Sequence, residues 1–132
     1  MTHSTVDSAG GGAERRRRAQ GAKHEALQRS LLAIDPQVAE WSDDFVFGKV
    51  WAGEDLDWDQ QMLVGVTALA ALGNHAQLRN YLHGALQGGV TEAALRQALS
   101  MLTVYAGFPV GIQALNVLRE VLAIEAKRTA PS

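Results

Sequence analysis

Cysteine is missing from this 132-residue chain. Its absence removes disulfides, thiolate nucleophiles, dithiol redox chemistry and thiolate-bound metals together. A dominant charge is missing as well. Twelve Lys and Arg stand against 14 Asp and Glu, for a net charge of -2. A general nucleic-acid binder carries a basic field, so no nucleic-acid partner is expected. No run of 18 or more apolar residues occurs, which leaves no candidate for a membrane-spanning helix and no membrane partner. The first residues lack the apolar stretch of a secretion signal, and the cytoplasm is the expected location. Sustained apolar–polar alternation with strand punctuation is lacking too, so no sheet is expected.

What remains is the composition of a globular protein, 47% hydrophobic and 20% charged. Residues 1–13 are small and polar and offer little to bury, which predicts a flexible arm before one domain over residues 14–128. Arg15 to Arg18 read as the solvated start of a first helix that runs to Ile34, with Leu27, Leu31 and Ile34 as its stripe. Asp35 and Pro36 suit the cap and first position of the next helix, which should turn Val38, Trp41, Phe45 and Phe47 inward. Asp57 and Gln60 resemble a capping box. The stretch from Met62 to Leu72 is apolar on almost every side, as in a helix surrounded by protein, and in so small a domain that points to neighbouring subunits. Further helices are expected over residues 75–87, over 92–106 after a Thr91 cap, and from Pro109 to about residue 127 on Ile112, Leu115, Leu118, Val121 and Leu122. The expectation is an all-α fold of about six helices in antiparallel hairpins.

Three stretches carry a family resemblance. They are Phe45-Val46-Phe47-Gly48-Lys49-Val50-Trp51 with Leu56-Asp57 opening the apolar helix; Gln77 to Thr91, with its Gly-Ala-Leu-x-x-Gly-Val-Thr core; and Val104-Tyr105-Ala106-Gly107-Phe108-Pro109. In this order and spacing, over residues 41–122, the chain resembles the carboxymuconolactone decarboxylase family. The resemblance implies an all-α subunit that assembles as a homotrimer or homohexamer, with active sites among helices near subunit contacts and no cofactor. The related alkylhydroperoxidase branch, which uses a cysteine pair, is excluded. Two positions depart from the family pattern: Tyr81 stands where a His is typical, and Gln61 where an Arg is typical.

Loss of CO2 without a cofactor requires a poorly solvated carboxylate, donors aimed at the oxygen that gains charge, and a proton for the carbanion. Tyr81 matches the family's active position and lies about 85° from the centre of the apolar face of its helix. His83 titrates in the useful range, although its phase points away from the Leu78, Leu82, Ala85 and Leu86 face. Gln61 suits a neutral substrate oxygen better than a carboxylate. These three are the candidate catalytic residues. Trp51, Phe47 and Trp41 could line a pocket for a flat ligand, with core packing as the alternative. Tyr105 and His75 are further substrate-binding candidates, the competing role for Tyr105 being core packing and for His75 a partly buried ring bonded to backbone. Asp43, Asp44 and Asp59 read as caps or solvated acids. The histidines show no metal-binding spacing, and no metal is expected.

The expected activity is a cofactor-independent carbon–carbon lyase acting on a small cyclic acid or lactone through an enolate-like intermediate. The alternatives are a cyclase, isomerase or dehydratase for a bulkier, less acidic metabolite, and a non-catalytic oligomeric binding protein.

Overall fold

With strand signals absent and helix starts frequent, helix is the local state the chain should prefer. A computed structural model describes the backbone of residues 2–129 and the side chains of residues 11–129, and no strand occurs among them. The helices are α1 (Thr2–Gln20), α2 (His24–Ile34), α3 (Pro36–Trp41), α4 (Trp58–Ala71), α5 (His75–Gln87), α6 (Glu92–Tyr105) and α7 (Phe108–Thr129). A 3-10 turn at Gly21–Lys23 joins α1 to α2, and α3 runs on into a π-helical segment, Ser42–Val50. Residues 1–57 and 58–132 form two compact units, where sequence suggests one domain over 14–128.

In the first unit, Asp35 acts as its chemistry dictates. Its backbone is extended, and its Oδ1 accepts the Gln37 N–H at 2.9 Å, while Pro36 takes the first helical position. The π-helical segment then alters the winding. Trp51 N–H bonds the Val46 carbonyl at 2.9 Å, five residues back, and this wider winding shifts the phase of every side chain after α3. Phe47 is buried, but Trp41 and Phe45, expected inward, are exposed. The stripe expected over the first helix also differs: the chain breaks at the 3-10 turn, Leu27 and Leu31 are half-buried, and Ile34 is exposed.

The π-helical segment is held by α1. Arg15 Nη1 donates to the Phe47 carbonyl at 2.9 Å. Arg16 donates from Nε to Asp43 Oδ1 at 2.6 Å and from Nη1 to Gln20 Oε1 at 3.0 Å. Arg16 is only 6% exposed, so the solvated-run expectation fits Arg17 and Arg18 and not Arg16. Asp43, expected as a cap or solvated acid, is its ion partner. The arm expected over residues 1–13 differs as well, because α1 is helical from Thr2 and Gly12 is buried; Met1 lies outside the described residues. Gly12 can be buried there because it has no Cβ, which would sit 1.9 Å from the Asp43 carbonyl oxygen. Only glycine lets the two backbones meet there.

In the second unit the apolar stripes follow helical spacing. Met62, Val66 and Ala70 on α4, Leu78, Leu82 and Ala85 on α5, Leu95, Leu99 and Leu102 on α6, and Ala114, Val117, Leu118 and Val121 on α7 are buried together. Thr91 Oγ1 caps α6 by accepting the Ala94 N–H at 3.1 Å. At Gly111 a Cβ would fall 2.6 Å from Thr103 Cγ2 and 3.0 Å from its backbone nitrogen, so α6 and α7 approach closely. Side-chain pairs between α5 and α7 run in the same sense along both helices, as in a parallel pair: Arg79 with Glu120 at 3.1 Å and Gln87 with Glu125 at 2.8 Å. Val64 and Leu72 on and after α4 remain exposed, so this chain alone does not supply the all-round burial their helix suggests.

Replacing glycine by alanine inside a helix ordinarily stabilises by up to about 1 kcal/mol. Gly12→Ala should reverse that sign and cost about 1–3 kcal/mol, because a methyl is forced into backbone. Gly11→Ala, whose methyl meets only the movable Arg15 guanidinium, should be much better tolerated. Urea unfolding midpoints of the two variants check the contrast.

Candidate functional site

The buried polar centre of the second unit is His83. It is 2% exposed and sits on α5 between Leu82 and Gly84, both buried. The helix phase that turns it outward in the sequence reading assumes a single covered face. In the structure α7 packs on the neighbouring flank of α5 and widens the buried arc to include His83. A charged or neutral imidazole cannot be buried without a partner at small cost. The partner is Glu125 on α7, whose Oε2 accepts the His83 Nδ1–H at 2.6 Å.

Glu125 is itself 9% exposed and fully engaged. Oε2 also accepts from Gln87 Nε2 at 2.8 Å, and Oε1 accepts from Arg128 Nε at 3.0 Å. Burial works to raise its pKa. The hydrogen bonds from Gln87, His83 and Arg128, with the Arg128 charge, outweigh that and hold the carboxyl below its ordinary range. Glu125 is therefore an anion. The other ring nitrogen of His83, Nε2, is buried and has no hydrogen-bond partner among the described residues. A groove of about 740 Å³ adjoins this centre, with Gln87, Glu125 and Arg128 in its wall beside Leu86 and Leu122.

The other candidates are dispersed. Tyr81 is half-buried, and burial pushes its phenol up from the ordinary value near 10. It therefore stays protonated near neutrality and can donate a hydrogen bond but not act as a base. Two residues apart on α5, Tyr81 and His83 stand about 200° from each other around the axis, so they face different sides. Gln61 on α4 and His75 at the start of α5 are half-buried. Tyr105 is 80% exposed at the end of α6. It is neither packed in a core nor directed into a cavity, because the last turn of α6 carries it out with exposed Val104 and Phe108. Phe47 and Trp51 do meet, with ring centroids 5.4 Å apart, in the first unit. Among the described residues, no three His, Asp or Glu side chains gather as metal ligands, and no helix is long and apolar enough to cross a membrane.

Sequence reasoning missed Glu125, Gln87 and Arg128. A signal was present. Glu125 lies four residues after Val121 and seven after Leu118, in phase with the buried stripe of α7. An acid at that phase asks for a buried partner.

Comparison with known proteins places residues 36–120 under the profile of the carboxymuconolactone decarboxylase family. A 4-carboxymuconolactone decarboxylase of Acinetobacter baylyi is 30% identical over 113 residues, 83% of each chain. A nitrosuccinic acid decarboxylase of Metarhizium robertsii is 33% identical over 87 residues, 64% of this chain and 57% of that protein. Gln61, Tyr81 and His83 fall within the family match; Glu125 and Arg128 lie beyond it.

The lowered Glu125 pKa has a consequence for folding. The unfolded carboxyl titrates near 4.5 and the folded one lower. The stabilisation is complete above the unfolded value and is lost as the pH falls through the folded one. Glu125→Gln should therefore show a shallower fall in melting temperature than the parent protein on acidification below about pH 4.5, measured by circular dichroism.

Proposed function

Since the chain belongs to the carboxymuconolactone decarboxylase family, we propose that it is a cofactor-independent decarboxylase of a small carboxylic acid and that His83 supplies the proton. The observation that carries this reading is the bare, buried Nε2 of His83 opposite an Nδ1 held by a carboxylate. Buried polar atoms are almost always paired, and an unpaired one calls for a reason. A proton donor awaiting a carbanion supplies that reason.

The step balances simply. The bond from carbon to the leaving carboxylate breaks, CO2 departs, and the electron pair stays on the substrate as an enolate-like anion. The Nε2–H of the His83 imidazolium then passes its proton to carbon, and the ring recovers a proton from water. Glu125 holds Nδ1 throughout, so the transfer is confined to Nε2. Substrate reaches Nε2 only when the side chains covering it part, and a dry site strengthens every charge interaction within it.

The substrate class follows from the same chemistry. The names of the two relatives join a carboxylic acid to a lactone in one case and to a nitro group in the other. Both groups withdraw electrons and would spread the charge left by CO2. We extend this to the present chain as a small acid, cyclic or lactone-bearing, with an electron-withdrawing neighbour. Gln61, a neutral amide, suits a neutral oxygen of such a molecule.

A second reading keeps the family's own position. Tyr81, held protonated by burial, would donate to the oxygen that gains charge, with Gln61 beside the substrate and His83 structural. Either centre is proposed to work in a homotrimer or homohexamer in the cytoplasm. Exposed Val104, Tyr105, Phe108 and Leu72 provide apolar surface for assembly, and sedimentation at equilibrium measures the mass. The continuous family match over residues 36–120 supports one working domain over 14–128.

Release of CO2 from a panel of lactone, keto and nitro acids tests the activity. On a turned-over acid, His83→Gln should lower kcat by about 100-fold or more, the contribution of a positioned acid, while Tyr81→Phe and Gln61→Ala lower it less. The reverse order moves the centre to Tyr81. No turnover by the assembled protein of any acid in the panel removes the decarboxylase reading.

A further inference from the structure

We infer that Glu125, which lies outside the family match, is the positioning residue that makes His83 a one-sided proton carrier, with Gln87 and Arg128 as its supports. This deepens the proposed function and rests on His83 as the proton donor there.

An imidazole has two nitrogens, and its chemistry depends on which one carries the proton in the neutral ring. An ionised carboxylate only accepts hydrogen bonds. Glu125 Oε2, 2.6 Å from Nδ1, therefore requires Nδ1 to be the N–H nitrogen. The lone pair of the neutral ring is then confined to Nε2, the atom left without a partner. A bond this short to a charged acceptor is among the stronger kinds, and it also fixes the plane of the ring.

The carboxylate needs its own supports to do this. Alone and buried it would take up a proton and release its hold on Nδ1. Gln87 Nε2 at 2.8 Å and Arg128 Nε at 3.0 Å prevent that. The supports come from two helices, Gln87 from α5 one turn beyond His83 and Arg128 from α7 three residues beyond Glu125. Gln87 bonds the same oxygen as His83, and Arg128 bonds the other. Rotation of the carboxylate about its terminal bond would break these contacts, so orientation passes from the helices to the carboxylate and from the carboxylate to the ring. Charge near the ring is supplied by Glu125 directly and by Arg128 behind it, while Gln87 is neutral. The carboxylate thus holds the ring from the Nδ1 side and leaves Nε2 as the nitrogen that can take up and release the second proton.

The arrangement differs from a buried ion pair kept for stability. Such a pair needs both ring nitrogens satisfied, or a ring turned so that its free nitrogen reaches solvent. Here the free nitrogen is shielded and the paired one is bonded to a carboxylate with two further donors.

Nitrogen-15 spectra of histidine-labelled protein test this without any substrate. In the parent protein, the neutral His83 ring should carry its proton on Nδ1, with the signature of a bare nitrogen at Nε2. Glu125→Gln keeps the shape, but its amide can turn either its oxygen or its nitrogen to the ring, so the fixed Nδ1–H tautomer should give way to a mixture of the two. Glu125→Asp, which keeps an acceptor-only carboxylate, should restore part of the Nδ1–H preference. With an acid that the protein decarboxylates, Glu125→Gln should lower kcat by about 10- to 100-fold, the usual loss when the partner orienting a functional histidine is removed, and change KM by less than about twofold. A neutral ring protonated at Nε2, or a tautomer unmoved by Glu125→Gln in a folded variant, overturns the inference. Those outcomes are read from spectra, so they are separate from a failure to find any acid that the protein decarboxylates.

Discussion

The hydrogen bond between His83 and Glu125 is the constraint around which the second unit is organised. It joins two parallel helices that are not neighbours in sequence, and it does so inside an apolar seam where an unpaired polar group is costly. Leu78, Leu82 and Ala85 on one side and Leu118 and Val121 on the other set how close α5 and α7 come. That distance decides whether a carboxylate and an imidazole can touch. Packing thus fixes the geometry, and the polar pair makes one register of the two helices better than its alternatives. Such pairs are seldom large net contributors to stability. Their value lies in specifying an arrangement, here one with a single unengaged nitrogen.

The first unit relies on a different device. A helix with no tertiary partner has no reason to widen to π winding, and π turns in proteins tend to mark functional places. Ser42–Val50 is held open by groups from α1: the guanidinium of Arg15 on a carbonyl, the Arg16 guanidinium on Asp43, and Gly12 against the backbone. The aromatic pair Phe47 and Trp51 spans the end of this segment, with ring centroids 5.4 Å apart. An aromatic cluster that reads from sequence as one amphipathic stripe is split, with Trp41 at the end of α3 and Phe45 outside and Phe47 inside.

Helix positions were legible to a large degree. Asp35-Pro36, Thr91 and the apolar face of α5 each carry a local signal, and local signals survive folding; the stripe expected on α7 holds at Leu118 and Val121, but Ile112 is exposed. The all-α class and the family follow from residues 41–122. The features that were not legible depend on contacts between distant segments. The phase of His83 reads correctly on an isolated helix, yet its burial comes from α7, two helices later. Glu125 stands in phase with a buried stripe, but no property of its neighbours names His83 as its partner. The π-helical segment is hidden for the same reason: its cause lies in α1, far earlier in the chain. Tyr105 sits at a helix end, where no phase rule decides between core and surface, and within this one chain it lies on the surface.

The sequence distance between the two halves of the polar pair also bears on how the unit folds. His83 and Glu125 are 42 residues apart, with α6 and its return turn between them, so their contact closes a long loop whose entropy must be offset before it forms. The α6–α7 hairpin is local and can assemble early. If the seam between α5 and α7 closes after that hairpin, its contacts are absent from the transition state. An interaction absent from the transition state governs the rate of unfolding and leaves the rate of folding almost untouched. The seam that presents the reactive nitrogen would therefore also act as the latch that sets the lifetime of the folded unit.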